Sequence, residues 1–186
     1  MKRSYLAIFD LDGTLFDTKD VNFHAYLDAL SEYGHTIDYE YFCEHCNGKD
    51  YRSFLPSVLK QDEAVIQDVH TKKQKAYIKY LDKARPNQNL LNIARLIRSE
   101  YYTVVVTTAS KVNCMQLLRY FNVDTLFDAI FTQEDVKRKK PDPEGFIAAQ
   151  EFFSVPIQRT IVFEDSSTGV QAAQAFESDY YIVRMR

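Results

Sequence analysis

Tryptophan is absent from the sequence, and cysteine occurs only three times, as Cys43, Cys46 and Cys114. A small and odd number of cysteines excludes the framework of a disulfide-rich secreted scaffold, so we expect reduced thiols. The sequence also has no excess of basic residues: its formal net charge is -3, which provides no overall basic field for binding nucleic acid. No apolar run reaches the roughly 18 residues that a membrane-spanning helix requires. We therefore predict no nucleic-acid partner and no membrane partner.

The beginning of the sequence lacks the features of a secretory signal. Its apolar run stops at Asp10, and no cleavage site of small residues follows. The composition, with 46% hydrophobic and 26% charged residues, is typical of a globular chain and not of a disordered one. We predict a cytoplasmic globular protein that is either a monomer or a homodimer.

Short apolar runs that end in polar residues are typical of buried parallel strands, and helical spacing of apolar residues separates them. The predicted strands are 5–9, 103–107, 129–131, 160–163 and 180–183, and the predicted helices among them are 89–98, 112–121, 143–153 and 169–176. This alternation predicts an α/β fold with a Rossmann-like parallel sheet core, whose ligands bind beyond the carboxyl ends of the strands.

Residues 16–85 interrupt the alternation directly after the first strand. Their apolar spacing predicts helices at 22–33, 38–46, 51–59 and 61–83, without a convincing strand. We therefore predict two domains, a catalytic core made of residues 1–15 and 86–186 and an all-helical insertion of residues 16–85.

Two aspartates follow the first predicted strand, in the sequence Asp-Leu-Asp-Gly-Thr. The carboxylates of Asp10 and Asp12 project from one turn, and their charges repel each other unless a cation or a proton intervenes. Oxygen ligands suit Mg²⁺, whereas zinc would favour thiolate or imidazole ligands. An ordinary turn would explain the same residues, so the other strand ends decide between the two interpretations.

Polar residues also follow other predicted strands. Thr107-Thr108-Ala109-Ser110 offers hydroxyls and main-chain amides ahead of a helix, where phosphate oxygens are readily held. Lys140 precedes a proline that begins a helix, and a solvated basic loop is the alternative interpretation. Glu164 and Asp165 are adjacent acids after a buried strand, which favours metal ligation over the helix cap that Asp165 alone would form.

In order along the chain, these four segments resemble the four motifs of the haloacid dehalogenase superfamily of phosphohydrolases, over nearly the whole sequence. The stretch Asp-Leu-Asp-Gly-Thr-Leu-Phe-Asp-Thr at positions 10–18 is highly specific for that family. The insertion resembles the small helical cap of the beta-phosphoglucomutase and phosphoglycolate-phosphatase-like branch. The resemblance implies a phosphoric monoester hydrolase that uses Mg²⁺.

The resemblance also implies roles for the first motif. Asp10 would attack phosphorus, form an aspartyl-phosphate and bind Mg²⁺ through its second oxygen. Asp12 would bind the metal through its main-chain carbonyl and would act as general acid and base through its side chain. Gly13 matches the position in the motif where groups approach closely.

The remaining motifs imply the rest of the catalytic site. Thr108 and the amide of Ala109 would hold phosphate oxygens, with Thr107 as an open alternative to Thr108. Lys140 would neutralise charge on Asp10 and on the transferred phosphoryl group. Asp165 would bind the metal directly, and Glu164 would bind it through water.

The caps of such enzymes contact the substrate, so the resemblance implies substrate-binding candidates in the insertion. They are Gly48, Lys49, Arg52 and Lys73, and ordinary surface charge is the alternative for the three cations. Asn22 occupies the position of a histidine in the mutases, which favours a phosphatase.

The spacing of Cys43 and Cys46 is that of zinc ligands, but no second pair lies nearby in the sequence, so we predict two half-buried helical thiols.

We therefore predict a Mg²⁺-dependent phosphatase that hydrolyses a small phosphorylated metabolite through an aspartyl-phosphate intermediate. A beta-phosphoglucomutase-like sugar-phosphate mutase and a non-catalytic binding protein on the same fold are the alternatives. The presence of Asp10, Asp12, Lys140 and Asp165 together argues against the non-catalytic alternative.

Overall fold

The computed structural model describes residues 3–60 and 63–185. Its strands are β1 Tyr5–Phe9, β2 Phe16–Asp17, β3 Arg85–Pro86, β4 Tyr101–Val106, β5 Ala129–Phe131, β6 Thr160–Glu164 and β7 Asp179–Ile182. Its α-helices are α1 Lys19–Ser31, α2 Tyr39–His45, α3 Tyr51–Leu59, α4 Glu63–Ala76, α5 Gln88–Ile97, α6 Lys111–Tyr120, α7 Glu144–Phe153 and α8 Ser167–Ala175. None of the helices in the described ranges is long and apolar enough to cross a membrane.

Five strands form one parallel sheet in the order β5-β4-β1-β6-β7. The central strand β1 pairs with β4 on one side and with β6 on the other, so Ile8 lies between Val104 and Val162. Because the strands are parallel, the residues that follow β1, β4 and β6 emerge at the same edge of the sheet. The predicted α/β, Rossmann-like core is confirmed.

The side chains of the central strand alternate between two buried faces of the sheet. Leu6 and Ile8 belong to one buried cluster with Phe146 of α7. Phe9 points to the opposite face and stacks on Phe163, with the ring centroids 4.8 Å apart. Burial on both faces explains why these strands are continuous apolar runs in the sequence.

The chain divides into two compact units. The first unit contains the residues up to Asp17 and those from Arg85 onwards, and the second unit is Thr18–Ala84. The second unit contains α1 to α4, packed around buried side chains of its own that include Leu30, Phe42 and Leu55. The role of this second unit as a cap stays a prediction.

Two details of the predicted insertion are wrong. The structure has a short antiparallel ladder between β2 and β3, which the sequence analysis did not predict, because strands of two residues show no measurable alternation. The helix predicted for 61–83 ends at Ala76, and the chain continues as the 3₁₀ helix Tyr77–Lys83. Tighter 3₁₀ turns often end an α-helix, and seven residues are too few to distinguish the two periods. The predicted helix start, Gln61, lies outside the described residues.

Candidate active site

Charged side chains converge at the carboxyl edge of the sheet, where the central strands end. Asp10 follows β1 directly, and its main-chain N–H donates to the carbonyl of Phe163 in β6 at 3.0 Å. Asp165 follows β6, and Lys140 lies in the loop between β5 and α7. The parallel sheet thus brings together residues that are more than 150 positions apart in the sequence.

Lys140 is the centre of the charged cluster. Its ammonium donates to Asp10 Oδ1 at 2.7 Å, to Glu164 Oε1 at 2.5 Å and to the carbonyl of Val106 at 2.9 Å. The side chain of Lys140 is 8% exposed and that of Glu164 is fully buried. The three acceptors use all three ammonium protons, so the position of the charge is well defined.

The cluster carries more negative charge than one ammonium balances. Burial raises the pKa of Asp10 well above its ordinary value; the Lys140 charge opposes this shift, and the charges of Glu164 and Asp165 add to it. Burial would lower the pKa of Lys140, but the charges of Asp10 and Glu164 outweigh it and raise that pKa. Burial and the charge of Glu164 also raise the pKa of Asp165. A further cation would relieve this repulsion.

Glu164 is held by the protein on both carboxylate oxygens. Its Oε2 accepts from the N–H groups of Asp165 and Ser166 at 3.1 and 3.2 Å, and from the Ser166 hydroxyl at 3.0 Å. A Cβ atom at Gly169 would lie 1.9 Å from Cδ of Glu164, so the glycine leaves the space that the carboxylate fills. The sequence analysis assigned no function to Ser166 or to Gly169.

Asp165 packs on the turn that follows β1. Gly13 has a φ of +87°, and a Cβ at this residue would lie 2.1 Å from Asp165 Oδ2. The Thr14 hydroxyl donates to Asp165 Oδ1 at 2.9 Å. The expectation that Gly13 permits a close approach therefore has a specific partner, whereas the contribution of Thr14 was not predicted.

The residues present fit a hard divalent cation. Carboxylate oxygens of Asp10, Glu164 and Asp165 all lie within 4.8 Å of one another, and this is the one such cluster of potential ligands among residues 3–60 and 63–185. Its donors are all oxygen atoms, as Mg²⁺ prefers. Asp12 lies in the turn after β1, where it forms an isolated β-bridge with Phe16 and is half-buried.

The two threonines after β4 differ in their surroundings. Thr107 is buried, its hydroxyl accepts from the N–H of Ala109 at 3.0 Å, and its own N–H donates to the carbonyl of Phe131 at 2.9 Å. Thr108 is exposed at the edge of the sheet. Of the two hydroxyls, that of Thr108 is therefore the more accessible to a ligand.

The candidates of the second unit have local partners within that unit. Gly48 has a φ of +75° in the turn before α3, and Lys49 beside it is exposed. The Arg52 guanidinium lies over the ring of Tyr51, 4.5 Å from its centroid, and is 3.8 Å from a carboxylate oxygen of Glu63.

Lys73 is buried, so the alternative of an ordinary surface lysine does not apply to it. Its side chain packs with the rings of Tyr26 and Tyr77, whose centroids are 5.2 and 5.1 Å from Nζ. Its ammonium donates to Oδ1 of Asn22 at 2.6 Å. The sequence analysis considered Asn22 and Lys73 separately and did not predict that they form a pair.

Cys43, Cys46 and Cys114 are free thiols. Cys43 is half-buried in α2 and Cys46 is buried at its end.

Comparison with known proteins supports a single family. Residues 7–183 match the model of the haloacid dehalogenase-like hydrolase family. The chain is 28% identical over 177 residues to the phosphorylated carbohydrates phosphatase of Thermotoga maritima, covering 90% of this chain and 79% of that protein. It is 27% identical over 182 residues to the fructose-1-phosphate phosphatase of Escherichia coli, covering 96% and 95% of the two chains.

The fold also matches solved structures. The crystal structure of CbbY from Rhodobacter sphaeroides in complex with phosphate superposes with a TM-score of 0.82 at 25% identity, covering 98% of this chain and 87% of that one. The family match includes the segments that contain Asp10, Lys140 and Asp165. The chain described here therefore belongs to the haloacid dehalogenase-like hydrolase family.

Proposed function

We propose that this hydrolase is a Mg²⁺-dependent phosphatase that acts on a small phosphorylated metabolite and forms an aspartyl-phosphate on Asp10. One observation carries the proposal: Lys140 holds Asp10 at the carboxyl edge of the sheet, beside the carboxylates of Glu164 and Asp165. Two of the similar proteins are named as phosphatases of phosphorylated sugars, which supports this substrate class.

Asp10, Glu164 and Asp165 would hold Mg²⁺, together with the main-chain carbonyl of Asp12. When bound, Mg²⁺ would supply positive charge that offsets the charges of these carboxylates and of the phosphoryl oxygens. Both oxygens of Glu164 already accept protein hydrogen bonds, so we assign it a water-mediated contact and assign the direct contact to the more exposed Asp165.

Asp10 is the proposed nucleophile. A carboxylate oxygen of Asp10 attacks phosphorus, an oxygen–phosphorus bond forms, and the bond from phosphorus to the alkoxide of the metabolite breaks. Lys140 orients Asp10 through the contact to Oδ1, and its charge favours the ionised form of the carboxylate. Its ammonium also stabilises the charge that accumulates on the transferred group.

Asp12 is the proposed proton donor and acceptor. Its carboxylic acid protonates the departing alkoxide, and the resulting carboxylate then removes a proton from the water that attacks the aspartyl-phosphate. The second attack breaks the bond between phosphorus and Asp10, releases inorganic phosphate and leaves Asp12 protonated again. Atoms and charges therefore return to their starting state after one turnover.

The phosphate oxygens would be held by the Thr108 hydroxyl, the main-chain amide of Ala109 and Lys140. Thr108 is preferred to Thr107 because the Thr107 hydroxyl is buried and already bonded to Ala109. An incoming phosphate would compete for that amide.

We propose that Thr18–Ala84 is the cap and that Gly48, Lys49, Arg52 and Lys73 select the leaving group. Lys73 pairs with Asn22, which stands at the position of the mutase histidine and is neutral. This pairing is compatible with a phosphatase. A cytoplasmic location, and a monomeric or homodimeric state, are also part of this proposal.

The test is phosphate release by the purified chain, first from an aryl phosphate and then from a panel of sugar phosphates, with Mg²⁺ and with a chelator. Wild type should release phosphate only with Mg²⁺. Asp10→Asn should reduce the rate by about 1,000-fold or more, because it removes the nucleophile.

Asp179→Asn is the matched control, since Asp179 is exposed at the amino-terminal end of β7, at the opposite edge of the sheet. It should retain the wild-type rate. Absence of turnover across the whole panel would contradict the phosphatase proposal. Isomerisation of a sugar phosphate in the presence of a bisphosphorylated sugar, without phosphate release, would identify a mutase instead.

A further inference from the structure

Asn87 connects the start of α5 to the turn that follows β1. It comes directly after β3, and its side-chain Oδ1 caps α5 by accepting from the N–H of Leu90 at 3.1 Å. Its two donors point the other way: the main-chain N–H donates to the carbonyl of Leu15 at 2.8 Å, and Nδ2 donates to the carbonyl of Thr14 at 3.1 Å. One residue thus fixes two consecutive carbonyls of the turn.

The turn that Asn87 holds is the same turn on which Asp165 packs. Thr14 is fully buried, and its hydroxyl donates to Asp165 Oδ1 at 2.9 Å. A threonine has a stiff χ1 torsion, so the position of its hydroxyl follows the position of its main chain. Asn87 is therefore two hydrogen bonds away from a carboxylate of the acidic cluster.

The turn after β1 also has hydrogen bonds within itself. Gly13 N–H donates to the carbonyl of Phe16 at 2.7 Å, and Leu15 N–H donates to the carbonyl of Leu11 at 3.0 Å. These bonds close the turn on itself, whereas the bonds from Asn87 attach it to the first helix after the insertion. The left-handed backbone at Gly13 and the contact of Asp165 with that residue leave little room for the turn to shift.

We propose that Asn87 is a positioning residue for the metal site: it holds Thr14 so that Asp165 meets Asp10 and Glu164 in a geometry that binds Mg²⁺. This inference rests on the proposed Mg²⁺ site and adds a residue that the four motifs do not contain. Supporting groups of this kind typically change metal affinity by about 10-fold to 100-fold when they are removed.

The test variant is Asn87→Asp. Aspartate caps a helix as well as asparagine does, so the bond from Leu90 is retained, but the donor to Thr14 is lost and a carboxylate faces a carbonyl. We expect Mg²⁺ affinity to fall by about tenfold. The measurement is the thermal unfolding midpoint as a function of Mg²⁺ concentration in the absence of substrate, which reports metal affinity without requiring turnover.

Asn89→Asp is the matched control, because Asn89 is exposed in the same first turn of α5 and receives the same change of charge. It should leave the Mg²⁺ affinity within about twofold of wild type, since a solvated charge near this site is screened. At saturating Mg²⁺, Asn87→Asp should recover most of the phosphatase rate with an unchanged KM. The dependence of the unfolding midpoint on Mg²⁺ concentration reports the affinity, whereas the midpoint without metal reports any separate loss of stability.

A double-mutant cycle with Thr14→Val tests whether Asn87 acts through Thr14. Valine removes the hydroxyl that meets Asp165, so Asn87→Asp should cause little further loss of Mg²⁺ affinity in that background. If Asn87→Asp does not fold, Asn87→Ser, which keeps a capping oxygen but is too short to reach Thr14, should show the same loss of affinity.

Three outcomes would overturn the inference. They are equal Mg²⁺ affinity of wild type and Asn87→Asp, an equal effect of Asn89→Asp, and fully additive effects with Thr14→Val. A wild type that does not bind Mg²⁺ would overturn both this inference and the proposed metal site. If wild type and Asn87→Asp both bind Mg²⁺ with equal affinity, the inference about Asn87 fails but the proposed function is unaffected.

Discussion

The carboxylate of Glu164 is enclosed by hydrogen-bond donors on both oxygens, from Lys140 on one and from Asp165 and Ser166 on the other. Its position depends on a glycine at residue 169, because a Cβ there would lie 1.9 Å from Cδ of Glu164. The precise location of Lys140, and with it that of Asp10, therefore depends on a glycine in the first turn of α8.

Gly169→Ala tests this dependence. In an exposed helix the change normally stabilises by about 1 kcal/mol. Here we expect destabilisation by about 1–3 kcal/mol, because the methyl group overpacks the site. Phosphate release should also fall, since Glu164 must move away from Lys140. The measurements are urea unfolding and the phosphatase rate.

Gln171→Ala, at an exposed position of the same helix, is the control and should leave the rate unchanged. A stable and fully active Gly169→Ala would contradict the structural account of Glu164.

At the scale of single residues, the sequence predicted the charged side chains of the site better than the residues that hold them in place. Asp10, Asp12, Lys140 and Asp165 stand in recognisable motifs at strand ends. Thr14 and Asn87 act through side-chain bonds to residues distant in the sequence, whereas Ser166 bonds to Glu164 two positions away. All three residue types are equally common in turns and helix caps. The burial of Lys73 could not be predicted, because its spacing is equally compatible with a surface lysine and only tertiary packing reveals the burial.

At the scale of elements, Asp128 joins the start of the chain to β4. Its carboxylate accepts from the main-chain N–H of Thr103 at 2.9 Å and pairs with Arg3, and Arg98 lies 3.8 Å away. Burial acts to raise the pKa of Asp128, but the bond from Thr103 and the charge of Arg3 outweigh it, so the pKa is lowered. A lowered pKa in the folded state means that ionised Asp128 stabilises the fold.

Asp128→Asn should therefore reduce the free energy of unfolding at pH 7 by about 1.5–3 kcal/mol, the contribution of a hydrogen bond to a charged group. The contribution of Asp128 is complete above the unfolded pKa of about 3.9 and is lost as pH falls through the lower folded pKa. The difference between wild type and variant should therefore shrink below about pH 4. Denaturant titrations at pH 7 and at pH 3 measure it, and a difference that is constant with pH would contradict the assignment.

The elements themselves were predictable where they were long or buried. Strands β1, β4 and β6 are apolar on both faces, and the helices between them have clear apolar spacing. The ladder of β2 and β3 escaped prediction because it consists of two-residue strands, whose pairing depends on bringing the two ends of the insertion together.

At the scale of the whole molecule, the chain combines a parallel sheet, which gathers Asp10, Lys140 and Asp165 at one edge, with a helical unit inserted after the first strand. The insertion could be predicted from the loss of alternation alone. The leaving group that we propose it selects could not, because the polar residues of α2 to α4 have no motif and several of them pair with residues of α1. The family match assigns hydrolase chemistry, and the carboxylates at the sheet edge suggest how it proceeds.

The covalent role of Asp10 is tested most directly by trapping the intermediate. Wild-type protein is mixed with Mg²⁺ and a hydrolysed phosphate ester, quenched during turnover and treated with borohydride, which reduces an aspartyl-phosphate to homoserine. Peptide mass spectrometry should find homoserine at position 10 and nowhere else, and it should be absent without substrate. Steady phosphate release with no homoserine at position 10, or with homoserine at another aspartate, would contradict the account.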